Sequence, residues 1–115
     1  MRYLLLMYEA EPVWNALPAE ERRRHIAVYD EVRQEAERNG HLVAADGLAA
    51  SGQAKTIRRR DGRLGVTDGP FAETKEQLGG FYLLDCGEAE ALEYAGKLPA
   101  AETGSVEVRA AGIPH

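Results

Sequence analysis

A chain of 115 residues is about one domain long, and its 44% hydrophobic and 29% charged residues are typical of a globular protein, so we expect a single domain over residues 1–115. The formal net charge of -5 disfavours nucleic acid as a partner, and no apolar stretch is long enough to span a bilayer. The one cysteine, Cys86, has no partner for an intramolecular disulfide, so a reducing compartment, the cytoplasm, is expected.

The first half of the chain predicts a strand, a helix and a second strand. Tyr3 to Tyr8 is an unbroken apolar run, typical of a strand that is buried on both faces. After a predicted loop that contains Pro12, Asn15 and Pro18, apolar side chains recur every three or four residues from about Ala19 to Asn39, which predicts an amphipathic helix. Asn39-Gly40 ends this helix, and His41 to Leu48 is the second predicted strand.

A β-hairpin is predicted in the middle of the chain. Two strand-like runs, residues 53–60 and 63–67, flank Asp61-Gly62, a pair that favours a type I′ turn. The remaining predicted elements are a strand at 79–85, a helix at 88–98 and a strand at 105–109.

The order β-α-β, hairpin, β-α-β indicates an α+β fold, namely a ferredoxin-like split β-α-β with an inserted β-hairpin. In this fold both helices cover the same face of an antiparallel sheet. The predicted strands at 3–8 and 79–85 are apolar on both sides, so the uncovered face would expose a large apolar patch to water. A homodimer that pairs sheet to sheet as a dimeric α/β barrel would cover this face, and long loops over the face are the alternative.

A distinctive segment joins the hairpin to the next strand. Residues 66–82 contain Asp68-Gly69-Pro70-Phe71 and Gly79-Gly80-Phe81-Tyr82, and they closely resemble the signature of the YCII-related family in its DGPF branch. Residues 2–8 and the ending 104–109 fit the same pattern. The resemblance implies an α/β fold that dimerises through its sheets, with a cleft near the signature loop.

Asp68 and His25 are the candidate catalytic residues. Asp68 lies in the turn of the signature, where its carboxylate would either cap the turn or exchange protons with a ligand beside Phe71. His25 shares a helical stripe with Tyr29, so its ring should point toward the edge of the sheet. Some members of the wider family carry a histidine in the equivalent helix, and a His-Asp pair acting in acid-base chemistry has been proposed for them, although the DGPF branch does not require it. A half-buried structural histidine is the alternative.

Three residues of the signature, Phe71, Lys75 and Tyr82, are candidate ligand-binding groups. Lys75 is suited to an anionic ligand, whereas Phe71 has an alternative role as an anchor of the loop. Trp14 is a candidate for the rim of the cleft, with a hydrophobic clasp as its alternative. No cofactor is expected, because Gly79-Gly80 lacks the spacing of a nucleotide-binding loop, and no metal, because the histidines match no metal-binding pattern.

These features favour a cofactor-independent acid-base enzyme of the isomerase or lyase type that acts on a small metabolite. The alternative is a non-catalytic dimer that binds a small molecule or acts in regulation. DGPF proteins are often encoded beside sigma factors, and the resemblance thus connects this alternative with sigma-factor-associated transcription. A third possibility is a purely structural interaction module. A cavity shared by Asp68 and His25 would favour the enzyme.

Overall fold

A computed structural model describes residues 1–112 of the chain. Its strands are β1 (Arg2–Glu9), β2 (Leu42–Gly47), β3 (Lys55–Arg60), β4 (Arg63–Asp68), β5 (Gln77–Asp85) and β6 (Ser105–Ala111). Its helices are α1 (Glu11–Ala16), α2 (Ala19–Arg38), α3 (Glu88–Lys97) and α4 (Ala100–Thr103). Within residues 1–112, no helix has the length and apolar character needed to cross a membrane.

Four of the strands form the main sheet, in the order β2-β5-β1-β6, and all neighbouring strands are antiparallel. The first and third of these strands along the chain thus lie at the centre, and the second and fourth lie at the edges. This order is consistent with the predicted ferredoxin-like split β-α-β, and the α+β class is confirmed. Strands β3 and β4 form a separate two-stranded sheet, which is the predicted inserted hairpin.

The helices pack on one face of the main sheet because strand side chains alternate between the two faces. Leu5 and Met7 of β1 point into the core together with Tyr82 and Leu84 of β5. The helical side of this core is formed by small and aromatic side chains, namely Val32 and Ala36 of α2 and Ala91, Tyr94 and Ala95 of α3. Leu5 and Leu84 are completely buried, so the centre of the core lies beneath the middle strands.

The opposite face of the main sheet, called the open face below, has no helix over it. It carries Leu4, Leu6 and Tyr8 of β1, and the strand register pairs Leu4 with Leu83 and Leu6 with Phe81. All five side chains are half-buried, and none of them belongs to the core or packs against it. The expectation that the first strand is buried on both faces therefore holds for only one face within a single chain.

The turn of the hairpin has the backbone conformation that its sequence predicts. Asp61 and Gly62 have φ angles of 54° and 75°, and positive φ at both central residues is the mark of a type I′ turn. The hairpin runs from Lys55 to Asp68, in register, with Ile57 opposite Val66.

Two segments differ from the expectation. The predicted loop before the long helix contains the short helix α1, because Pro12 lies in its first turn, where the missing N–H removes no helical hydrogen bond. The sequence also permits a single helical turn at residues 72–77, and the structure has no helix there. The Thr74 hydroxyl donates to the carbonyl of Glu76 over 2.6 Å, and Gln77 already pairs with Glu9 as the first residue of β5.

Gly80 provides a direct test of the packing between the strands. A β-carbon at this position would lie 2.8 Å from the Met7 methyl group and 3.0 Å from the carbonyl oxygen of Asp46, whereas one at Gly79 would meet nothing within 4 Å. We expect Gly80→Ala to lower the free energy of unfolding by about 1–3 kcal/mol through overpacking. Gly79→Ala is the matched control and should change it by much less. Urea denaturation of both variants measures the difference, and equal losses would contradict this account of the packing.

Candidate functional site

A cavity of about 490 Å³ lies on the helical side of the sheet, where β1 and β2 end and β5 begins. Helices α1 and α2 form its outer wall, and the segment after β2 closes one side. Its principal lining residues are Met7, Glu9, Glu11, Trp14, Ile26, Tyr29, Asp30, Arg33, Ala45, Leu48, Gln77 and Tyr82. This volume is within the range of about 300–1,000 Å³ that is usual for small-molecule sites.

Two hydrogen bonds connect Tyr82, Tyr29 and Glu9 in the cavity wall. The Tyr82 hydroxyl donates to the backbone carbonyl of Tyr29, and the Tyr29 hydroxyl donates to Oε1 of Glu9 over 3.0 Å. Burial raises the pKa of Tyr82 to about 12, with Asp30 adding to the shift. Burial, followed by the Glu9 carboxylate, raises the pKa of Tyr29 even further. Both phenols are therefore neutral donors at physiological pH, and the Glu9 carboxylate is held in place by one of them.

Glu11 connects the elements at the entrance of the cavity through hydrogen bonds. Its carboxylate accepts hydrogen bonds from the backbone N–H of Ser51 over 2.7 Å and from the Ser51 hydroxyl over 2.6 Å. Its own backbone N–H donates to Oε1 of Gln77 over 2.8 Å. The first turn of α1 is thus joined both to the segment after β2 and to the start of β5. These three contacts fix the position of Trp14 one turn further along α1.

The rim of the cavity contains an aromatic pair. Trp14 lines the cavity, as the sequence suggested, and its ring centroid lies 5.9 Å from that of His25 at an interplanar angle of 39°. The Nδ1 atom of His25 is buried and makes no hydrogen bond with any group in residues 1–112. His25 thus stands behind Trp14 and does not itself line the cavity.

The cavity combines apolar walls with an excess of negative charge. Its lining residues include four acidic ones, Glu9, Glu11, Asp30 and Asp46, against one basic one, Arg33. Trp14, Tyr29 and Tyr82 place three aromatic rings around the same space. Aromatic faces together with carboxylates attract organic cations, so the site is best suited to a small molecule with an apolar body and a positively charged group.

The five predicted site residues do not come together in one chain. Only Tyr82 lines the cavity. Asp68 is at the end of β4, where its side chain is 82% exposed and pairs with Lys55. Phe71 is 75% exposed on the following loop, and Lys75 is exposed in the same loop.

The signature segment is divided between two places in the molecule. Its second half, from Gln77 to Tyr82, runs along the cavity and supplies part of its wall. Its first half, from Asp68 to Lys75, belongs to the base of the hairpin, where Thr56 donates to the carbonyl of Gly69 over 2.8 Å. The expected cleft near the signature is therefore beside its strand portion and away from its Asp-Gly-Pro-Phe turn.

Sequence reasoning did not select Glu9 or Tyr29 as site residues. Glu9 ends the apolar run of β1, and a single carboxylate directly after such a run is a recognisable feature of a site at a strand end. Tyr29 was assigned to the apolar stripe of α2, and its hydroxyl found a partner only through the crossing of α2 over β1. That crossing is a tertiary relationship, and no local pattern encodes it.

An α+β domain with a ferredoxin-like sheet and a cavity at the strand ends is the class of protein that these observations define. The chain matches the YCII-related domain over residues 1–111 and belongs to that family. It is 43% identical over 112 residues to an uncharacterized protein of Rhizobium meliloti (strain 1021), a match that covers 95% of this chain and 90% of the relative. The family resemblance inferred from the sequence is thus confirmed, and the family itself is one whose function is undefined.

Tyr82, in the cavity wall, makes the stability of the fold dependent on pH in the alkaline range. Because the folded-state pKa of Tyr82, about 12, is above its ordinary value of 10.0, its contribution is complete below pH 10 and is lost as the pH rises toward 12. We expect the difference in unfolding free energy between the wild type and Tyr82→Phe to shrink from pH 8 to pH 11.5. Urea denaturation across this range measures it, and a constant difference would contradict the assignment.

Proposed function

We propose that the protein is a homodimer that binds a small organic cation in the cavity between α1, α2 and the main sheet. The observation that carries this proposal is the cavity of about 490 Å³, whose wall combines three aromatic rings with an excess of carboxylates. A part-buried hydrogen bond from the Tyr29 hydroxyl positions one of those carboxylates, Glu9, and the Tyr82 hydroxyl holds the backbone of Tyr29. A preorganised acceptor of this kind stabilises a bound ammonium group without having to reorder side chains on binding.

The open face supports the dimer in this proposal. Five large apolar side chains lie together there, and no element within residues 1–112 covers them. Glu107 and Arg109 border them, since these residues pair with Leu6 and Leu4 on the edge strand β6. Two copies related by a two-fold axis would bury both apolar faces against each other and bring opposite charges to the rim. This sheet-to-sheet arrangement corresponds to the dimeric α/β barrel expected from the sequence.

An acid-base enzyme is the second candidate, and one observation favours it. The buried Nδ1 of His25 has no hydrogen-bond partner in residues 1–112, so this ring nitrogen is not committed to a structural hydrogen bond, and the ring lies beside Trp14 of the cavity wall. Chemistry by Asp68 and His25 requires both groups at one substrate, so Asp68 would have to come from the hairpin of a second copy. In that case Asp68→Asn would stop turnover of a bound ligand without weakening its binding.

Trp14 is the only tryptophan of the chain and lines the cavity, so its fluorescence should report ligand binding. We expect arylalkylamines to quench or shift this emission at lower concentration than the carboxylates with the same apolar body. Glu9→Gln keeps an acceptor for Tyr29 but removes the charge, and it should weaken amine binding about tenfold, which corresponds to about 1.4 kcal/mol. Glu37→Gln, on an exposed part of α2, is the control. Equal binding of amines and carboxylates would count against the proposal.

The dimer has its own test at the centre of the open face. Leu6→Asp places a carboxylate among the apolar side chains, and we expect it to convert the dimer to a monomer in light scattering after size-exclusion chromatography. Leu92→Asp is the matched control, since Leu92 is 53% exposed on α3, away from the open face. A wild-type protein that is monomeric at 100 μM, or a dimer that Leu6→Asp leaves intact, would refute dimerisation through this face.

A further inference from the structure

The β3–β4 hairpin, residues 55–68, is called the arm below, and its two faces differ in character. Its register places Ile57 opposite Val66 and Arg59 opposite Leu64 on one face. The three apolar side chains of this face, Ile57, Leu64 and Val66, form the apolar stripe. On the other face Arg58 is opposite Gly65, and Arg60 is opposite Arg63. The arm is therefore amphipathic, which is the pattern of a strand pair that packs with one face against another surface.

The apolar stripe is exposed in the single chain. Ile57 is 63% exposed, and Leu64 and Val66 are both 58% exposed. The two strands pair with each other and make only sparse contact with the other elements. A two-stranded hairpin by itself is at best marginally stable in water, because it has no partner against which to bury its apolar face. The sequence nevertheless specifies this hairpin strongly through its turn and its alternation, so the stripe needs a surface to cover it.

The charges of the chain are divided between the arm and the remainder. Residues 55–68 contain five basic and two acidic side chains, a net charge of about +3. The other residues contain nine basic and seventeen acidic side chains, a net charge of about -8. The arm and the body of the molecule are thus oppositely charged. A second copy of the same chain offers the acidic surface that the arm would meet.

The size of the molecule supports a partner of this kind. Its radius of gyration is 15.8 Å, compared with about 13 Å for a compact domain of this length. Its accessible surface is 7842 Å², compared with roughly 6,200 Å² for a compact monomer of 12.6 kDa. The excess is more than about 1,000 Å² per chain, which exceeds the area of about 800 Å² that each partner contributes to a standard interface.

We propose that the arm of each protomer packs its apolar stripe against a second copy of the chain, so that two copies exchange arms. This contact adds a second surface to the dimer of the proposed function, and each of the two surfaces can be tested without the other. The exchange covers Ile57, Leu64 and Val66 and brings Arg59, which shares their face, to the acidic body of the partner, while Arg58, Arg60 and Arg63 lie on the opposite face of the arm. It also carries the first half of the signature segment, with the exposed Phe71, to the side of the partner.

Two neighbouring substitutions separate the faces of the arm. Val66→Asp puts a carboxylate in the apolar stripe, whereas Thr67→Asp puts the same group on the opposite face, one residue further along β4. We expect Val66→Asp to raise the dissociation constant of the dimer at least tenfold in sedimentation velocity, and Thr67→Asp to leave it within about threefold of the wild type. As a readout without substitution, backbone amides of residues 55–68 in the wild type should exchange faster with deuterium when the protein is diluted below the dissociation constant.

The outcomes distinguish this inference from the sheet dimer. Arm exchange between protomers is supported if Val66→Asp dissociates the dimer and if deuterium exchange at residues 55–68 becomes faster on dilution. Arm exchange is overturned if Leu6→Asp dissociates the dimer and Val66→Asp does not. It is also overturned if Val66→Asp and Thr67→Asp have equal effects. In both cases the open-face contact stands. If the rate of deuterium exchange at residues 55–68 does not depend on protein concentration, the proposed exchange of arms is also overturned. This readout uses the wild type, so it applies even if Val66→Asp fails to fold. Binding of a DNA oligonucleotide through the arm of an unaffected dimer would assign the arm to a different partner and reject the inference.

Discussion

The central strands β1 and β5 carry large apolar side chains on both sides of the sheet, and the helices of the chain cover only one side. Burial of apolar surface is the dominant favourable contribution to folding, so a sheet of this kind needs two covers. The chain supplies the first with α2 and α3. The open face has no such cover within residues 1–112, and the proposed dimer would provide one.

The cavity lies where the covered face ends. Helix α2 packs closely over β1 and β5 through its second half, at Val32 and Ala36, while its earlier residues Ile26 and Tyr29 stand over the strand ends. The short helix α1 closes the gap from the other side, held by the contacts of Glu11. The space between these elements is lined by apolar side chains, including the core residues Met7 and Tyr82, and by polar groups such as Glu9 and Glu11.

Local patterns in the sequence predicted the main architecture well, for physical reasons that differ between elements. The helix α2 has a regular apolar stripe and a glycine stop, and the hairpin has an Asp-Gly turn in which both residues adopt positive φ. The short helix α1 was missed because Pro12 and Asn15 suggest a loop, and its six residues are held by long-range contacts such as the one to Gln77. The family could be inferred because the signature is long and contiguous.

The site was harder to infer than the fold, because chemical residue types reveal nothing about which of them meet. Asp68 and His25 have the right chemistry for proton transfer, but Asp68 is exposed at the base of the arm, where it pairs with Lys55, and Trp14 stands in front of His25. The pair that does meet, Glu9 and Tyr29, is separated by 20 positions and joined only when α2 crosses the end of β1. A contiguous signature can likewise be divided in space, as the segment from Asp68 to Tyr82 is.

The opposite charges of the arm and the body give each molecule a large electric dipole. Two such dipoles placed side by side attract each other when they are antiparallel, and a two-fold axis makes the dipole components perpendicular to it antiparallel. Electrostatic attraction of this kind acts before contact and orients diffusing molecules, and its range is set by a Debye length of about 8 Å at physiological ionic strength. The separation of charge between the arm and the body would therefore favour encounters in which the arm of one molecule approaches the body of the other, before any apolar surface is buried.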